Sequence, residues 1–280
     1  MFVLSKETAW CPGCGNFGIL ESLKNALESL NLEPHRVVIS SGIGQAAKTP
    51  HYLSANMFNG LHGRSIPAGI AIKLANKALT VIVESGDGCS YGEGGNHFIH
   101  AIRRNLDITH IVHNNQVYGL TKGQASPTTA RMQKTELQFD GVLMQPMNPI
   151  SLAIGMGAGF VARSFSGDKT HLSTVIAQAI SFKGYALVDI LQPCPSFNRI
   201  NTFKWYKDRL YYLPEDYDSS DILQARDKAE EWGERIPIGI IYRSEKPEYI
   251  AENSVLRDNP PLVNLPFSPT HAQIFMDDFR

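Results

Sequence analysis

Three apolar runs in the first half of the chain each stop at a glycine or polar turn, and this pattern limits the fold more than any other feature. They are RVVISSGIG at 36–44, LTVIVESGDG at 79–88 and DITHIVHNN at 107–115. Each reads as a short buried strand. Helical spacing follows two of them, in IPAGIAIKLANKA (66–78) and GGNHFIHAIRRN (94–105). Such alternation predicts right-handed βαβ units and a parallel sheet, an α/β fold. Upstream, Asn16 is placed to cap a helix whose apolar face is Phe17, Ile19, Leu20, Leu23, Ala26, Leu27 and Leu30. Downstream, helices over NPISLAIGMGAGF and HLSTVIAQAISFKG alternate with strands over GFVARSF and YALVDILQPCP.

After about Pro195 the character changes, with aromatics and charges mixed in FNRINTFKWYKDRLYYLPEDYD. We read 1–195 as the α/β domain and 196–280 as a C-terminal extension packing on the core or on a partner. The 280 residues allow one large domain with such a tail. A formal charge of -1 gives no bulk electrostatic case for nucleic acid or an anionic membrane. No run approaches the roughly 18 apolar residues of a membrane span. The N-terminal residues lack a basic segment followed by an apolar one, so no signal peptide is read and the cytoplasm is the expected location.

Two of the glycine turns lie where ligands bind in open α/β sheets, at the carboxyl ends of strands. In Gly86-Asp87-Gly88 no β-carbon flanks the aspartate, so a diphosphate can approach the backbone closely. Asp87 offers a hard oxygen suited to magnesium. The pair Asn114-Asn115 stands at the tip of the next strand, the neighbouring point on the same sheet edge. Gly-Asp-Gly alone is a common turn; followed by Asn-Asn one strand later it is a specific signal.

Of the four cysteines, Cys11 and Cys14 form a Cys-x-x-Cys pair able to share a metal centre or act as a redox dithiol. Cys89 and Cys194 are equally readable as small buried hydrophobes.

The Gly86-Asp87-Gly88…Asn114-Asn115 arrangement resembles the signature of thiamine-diphosphate enzymes. WCPGCG (10–15), SGIG (41–44), LHGR (61–64), GGNHFIHAIRRN (94–105), VYGLTKGQASPT (117–128) and QPCP (192–195) narrow the resemblance to the β subunit of 2-oxoacid:ferredoxin oxidoreductases, over about residues 8–200. The resemblance implies a diphosphate-binding α/β domain with magnesium on Asp87, Asn115 and the Val117 carbonyl. It implies a cofactor site drawn from Gly44, His62, Gly86, Asp87, Gly88, Asn115, Val117, Tyr118, Gly119 and Leu120. It also implies oxidative decarboxylation of a 2-oxo acid with coenzyme A. It further implies that electrons leave one at a time through a [4Fe-4S] cluster to ferredoxin.

Cys11, Cys14 and Cys194 match three of the family's four cluster positions. At the remaining one the family reads Ser-Gly-Ile-Gly-Cys, whereas this chain has Gln45. Either Cys89 replaces the missing ligand, or it is a small residue packed under the loop and the cluster is incomplete or absent. A zinc site on Cys11 and Cys14 would need the same four ligands without explaining the cofactor motif. Lys48, Leu120 and Lys122 match substrate-contact positions, and two lysines would suit a dicarboxylic 2-oxo acid such as 2-oxoglutarate. Lys122 is also readable as a solvated loop lysine. Arg64 is placed near the cofactor beside His62; His97 and His100 are read as helix-packing histidines, and Glu93 as a carboxylate favoured at a helix start.

The family's cofactor-activating glutamate lies on an α subunit, so the resemblance implies a heterodimer inactive without that partner. A non-oxidative thiamine-diphosphate decarboxylase subunit would share the diphosphate motif but have no use for the three cysteines. A non-catalytic metal-binding protein would not need Asp87 and Asn115 intact.

Overall fold

The computed structural model describes residues 1–4, 6–266 and 269–279; Phe267, Ser268 and Arg280 of the C-terminal extension lie outside the described residues. Its strands in chain order are β1 (Val37–Ser41), β2 (Asn56–Asn59), β3 (Thr80–Gly86), β4 (Ile108–Asn114), β5 (Val117–Tyr118), β6 (Gln124–Ala125), β7 (Phe160–Phe165), β8 (Tyr185–Leu191), β9 (Leu210–Tyr212) and β10 (Ile236–Arg243). The principal helices are α1 (Asn16–Ser29), α2 (Ser65–Ala75), α3 (Gly95–Arg104), α4 (Pro149–Gly155), α5 (Lys169–Ser181), α6 (Phe203–Lys207) and α7 (Ile222–Glu230).

Eight strands form one sheet in the order β2-β1-β3-β4-β8-β7-β10-β9, and β5 and β6 form a separate hairpin. All sheet neighbours run parallel except β10 against β7. The parallel α/β expectation is met, and the central strands show why it was visible: every residue of β1, β4, β7 and β8 is buried. Strands covered on both faces read as unbroken apolar runs. One face packs Ile19, Leu23 and Leu27 of α1 with Leu172 and Ile176 of α5. The other packs Phe98 and Ile102 of α3 with Ile150 and Ile154 of α4.

Several elements depart from the sequence reading. Asn16 is not the helix cap: Gly15 holds that position, and the Asn16 side chain is buried with Oδ1 2.8 Å from His113 Nδ1. The first helix is close enough to the sheet that a β-carbon on Gly18 would stand 2.1 Å from the Ser166 carbonyl oxygen. Edge strand β2 was not foreseen, because all four of its residues are exposed and nothing alternates. Residues 88–93 form a short π-helical turn leading into α3. The extension after 195 supplies β9 and β10, which lengthen the same sheet, while Tyr206, Ile236 and Ile238 build a third apolar cluster with Phe165 and Leu191. Among the described residues no helix is long and apolar enough to cross a membrane.

Candidate active site

The parallel strands β3 and β4 are neighbours, so their carboxyl-terminal tips bring Asp87 and Asn115 to one sheet edge. Asp87 is buried. Ser126 Oγ and Thr128 Oγ1, from the loop after β6, lie 2.5 and 2.7 Å from its Oδ2. Burial pushes the carboxyl up to about 6 despite these hydroxyls, so a cation beside it would relieve a buried charge. Thr128 Oγ1 is also 2.9 Å from Asn114 Oδ1; with one proton, the hydroxyl serves one of the two acceptors at a time. Asn114 in turn donates to Asp189, a buried carboxylate that also accepts from Tyr91 at 2.7 Å.

After Asn115 the chain reverses at Gln116, whose φ of 60° is left-handed. The Val117 N–H then donates to Asn115 Oδ1 at 3.0 Å. Asn198 Nδ2 donates to the Asn115 carbonyl at 3.0 Å, pinning the turn from the far side. The two glycines flanking Asp87 have different reasons. A β-carbon on Gly88 would stand 2.2 Å from the Tyr118 ring, whereas one on Gly86 would meet nothing nearer than the His113 carbonyl at 3.8 Å. Gly44 has φ 122° with open space before it, a backbone that L-residues rarely adopt.

One cleft collects Gly44, His62, Gly86, Asp87, Gly88, Asn115, Val117, Tyr118, Gly119 and Leu120. These are the ten residues singled out for the cofactor. His62 Nδ1 lies 3.0 Å from Glu93, which also accepts from Tyr118 at 3.2 Å. Glu93 thus joins two cleft residues from its place just before the Gly94 cap of α3. Arg64 does not line this cleft but contacts His97, and His100 lies beside Arg103 on the same flank. The two histidines are thus held by arginines at the surface, not packed into the core. Leu120 lines the cleft, whereas Lys48 and Lys122 do not. Lys48 is half-buried and Lys122 exposed, with a left-handed φ of 85°.

A second cavity adjoins the first and shares Gln45, Asn115 and Gly119 with it. Cys11, Cys14 and Cys194 line it together. The Cys-x-x-Cys loop turns at Gly13, φ 75°, and the Gly15 N–H donates to the Pro193 carbonyl at 3.2 Å, which sets the loop against the end of β8. Trp10 Nε1 donates to the Gln45 carbonyl at 2.9 Å, tying the same loop to the turn after β1. Burial pushes the Cys14 thiol up to about 11, with Cys194 and Cys11 adding to the shift. Such thiols stay protonated at neutral pH until a metal displaces the proton.

Cys89 is placed elsewhere. Its sulfur packs on Gly42, accepts the Gly63 N–H at 3.2 Å and lines the first cleft. Gln45 Oε1, Gln192 Oε1 and Asn16 Nδ2 are all buried without a hydrogen-bond partner, and all three residues line the cysteine cavity. An unpaired buried polar atom costs about 1–3 kcal/mol, so three around one cavity suit a site built for a guest. Among the described residues no three His, Cys, Asp or Glu side chains converge on a point that could hold a single metal ion. A cluster binds each cysteine to a different iron and therefore spaces its sulfurs more widely. The two cavities enclose about 60 and 20 Å³. Pockets that swallow a whole ligand hold roughly 300 Å³ or more, so this chain alone encloses only part of one.

The residues that sequence reasoning missed are the polar layer beneath the cleft: Ser126, Thr128, Asp189 and Asn198. Asp189 had a signal, since a carboxylate inside the apolar run YALVDIL requires partners.

Residues 39–190 match the family described as thiamine pyrophosphate enzyme, C-terminal TPP binding domain, and residues 194–258 match the C-terminal family of the pyruvate ferredoxin oxidoreductase beta subunit. The chain is 46% identical to 2-oxoacid:ferredoxin oxidoreductase 1, subunit beta, of Aeropyrum pernix, over 90% of this chain and 85% of that one. It is 36% identical to the 2-oxoglutarate synthase subunit KorB of Methanocaldococcus jannaschii, over 87% and 90% respectively. Among solved structures it matches the 2-oxoglutarate:ferredoxin oxidoreductase from Magnetococcus marinus, determined with 2-oxoglutarate, coenzyme A and succinyl-CoA bound. That match has a TM-score of 0.91 and 32% identity, over 98% of this chain and 94% of that one. With the glycine–aspartate cleft, the cysteine cavity and these relatives in agreement, the chain belongs to the β subunits of the 2-oxoacid:ferredoxin oxidoreductases.

Proposed function

We propose that this subunit binds thiamine diphosphate and magnesium in the first cleft and an iron–sulfur cluster in the second. With an α partner it oxidatively decarboxylates a 2-oxo acid, 2-oxoglutarate being favoured, to the acyl-CoA and carbon dioxide, and ferredoxin takes the electrons. The observation that carries this reading is the shared wall of Gln45, Asn115 and Gly119, which sets the cysteines directly beside the diphosphate cleft. A non-oxidative decarboxylase would have no use for that adjacency.

Asp87, Asn115 and the Val117 carbonyl are the ligands assigned to magnesium, and each supplies the hard oxygen this ion takes. Bound thiamine diphosphate supplies the carbanion chemistry at the 2-oxo carbon. The chain's own residues hold and orient it. Ser126 and Thr128 fix Asp87, Asn198 fixes the Asn115 turn, and Gly44 leaves room for the ligand. Lys48, Leu120 and Lys122 are assigned to the substrate. Among the described residues neither lysine makes a side-chain hydrogen bond or ion pair, so both charges are available to a carboxylate. Exposed Leu61, next to His62 of the cleft, and exposed Met57, Phe58, Leu137, Phe139, Leu143 and Met144 are assigned to the α partner that completes the site. We place the complex in the cytoplasm, where reduced ferredoxin and free thiols persist.

The test is anaerobic purification with the α partner, followed by iron analysis and 2-oxo acid-dependent reduction of ferredoxin. Expected are iron in the complex and reduction that requires coenzyme A, with 2-oxoglutarate outrunning pyruvate. Iron-free protein that still releases carbon dioxide would overturn the proposal.

A further inference from the structure

The sequence leaves open whether Cys89 completes a four-thiolate site, and its position speaks against this. Its sulfur is buried against Gly42, accepts the Gly63 N–H and faces the diphosphate cleft. To reach the other three cysteines it would have to abandon both contacts. The residue that stands with them is Gln45, whose Oε1 is buried and unpartnered. Its neighbours fix it: Trp10 binds its carbonyl, and its Cγ packs 3.9 Å from where a β-carbon on Gly119 would stand.

We propose that this chain holds its cluster by three thiolates, Cys11, Cys14 and Cys194, and that Gln45 Oε1 takes the fourth iron in place of a cysteine. The inference rests on the functional reading above and specifies one corner of its cluster. An amide oxygen is a harder and weaker ligand for cluster iron than a thiolate, so this corner is the labile one. Because Gln45 walls both cavities, the labile iron is the one nearest the diphosphate cleft. Mild oxidation then removes it. A [4Fe-4S]2+ core gives up one electron to the oxidant and one Fe2+ to solution, leaving [3Fe-4S]+. Ferrous iron with a reductant reverses the step.

The test uses the anaerobic α–β complex as the native chain, Gln45→Cys and Cys89→Ser, each treated with one equivalent of ferricyanide. Electron paramagnetic resonance and iron content are then read. The native complex is expected to fall from about four to about three iron atoms per chain. It is also expected to show a three-iron signal that ferrous iron and dithionite abolish. Cys89→Ser is expected to behave identically, while Gln45→Cys keeps its fourth iron and stays silent. A native complex that resists the oxidant, or loss of the fourth iron in Cys89→Ser only, would overturn the inference and identify Cys89 as a ligand. Iron absent from the native complex but present in Gln45→Cys would overturn the three-thiolate site alone. Iron absent from both would remove the functional reading as well.

Discussion

The two glycines around Asp87 offer a way to separate folding from cofactor binding within one motif. A β-carbon on Gly88 would fall 2.2 Å from Cε1 and 2.7 Å from both Cδ1 and Cζ of Tyr118, so the ring has to move. Moving it breaks the contact with Glu93 and disturbs Val117, one residue away. Overpacking of this kind destabilises by about 1–3 kcal/mol. At roughly 2–4 °C per kcal/mol, Gly88→Ala is expected to lower the melting temperature by on the order of 2–12 °C without cofactor present. Gly86→Ala meets only ordinary contact at 3.8 Å, so its cofactor-free melting temperature stays within about 1–2 °C of the native value. Gly86 itself lines the cleft, so its new methyl takes up space there, and thiamine diphosphate with magnesium should bind about tenfold or more weakly. Differential scanning calorimetry and titration calorimetry on the α–β complex read the two effects separately. Equal melting losses for both variants, or an unaltered affinity in Gly86→Ala, would refute the assignment of these glycines.

Five further outcomes are expected. Magnesium-dependent cofactor binding should be flat above about pH 6 and weaken tenfold per unit below it, because the proton that burial holds on Asp87 competes with the metal. The sign for stability is opposite: a carboxyl raised above its unfolded value makes the cofactor-free fold gain stability as pH falls through 6 towards 4, seen in denaturant titrations at each pH. Thr128→Val removes the hydroxyl between Asp87 and Asn114 and should weaken magnesium binding by about 1–3 kcal/mol, moving that break to higher pH. Gly18→Ala drives a methyl into the Ser166 carbonyl and should cost at least about 1–3 kcal/mol in unfolding experiments, with cofactor affinity unchanged in whatever folds. Lys122→Ala should raise KM for 2-oxoglutarate about tenfold or more while leaving pyruvate turnover nearly unaffected, because that lysine is assigned to the second carboxylate.

The sequence made the centre of the sheet legible because strands buried on both faces are uninterrupted apolar runs, and their ends are marked by Gly86, Gly88 and Asn114-Asn115. Ten residues assigned to the cofactor from motif positions do meet in one cleft. What stayed hidden depends on contacts between distant segments. Asn16 looks like a cap, yet its side chain is drawn inward to His113, 97 residues away in the chain. Ser126 and Thr128 carry no local pattern that announces a partnership with Asp87. Gly88 looked like a concession to the diphosphate, and the Tyr118 ring gives it a second reason. Strand β10 joins β7 from far along the chain, antiparallel, and Pro237 and Gly239 interrupt its apolar run with residues that usually argue against a strand.

On the proposed function the two cavities form one electron path, and rapid mixing follows electrons along it. Oxidised α–β complex loaded with thiamine diphosphate and magnesium is mixed anaerobically with 2-oxoglutarate, and the visible absorption of the iron–sulfur cluster is followed. Bleaching is expected within a turnover, and it is abolished in Asp87→Ala even though that variant keeps its iron. Carbon dioxide release with unchanged cluster absorption would contradict it.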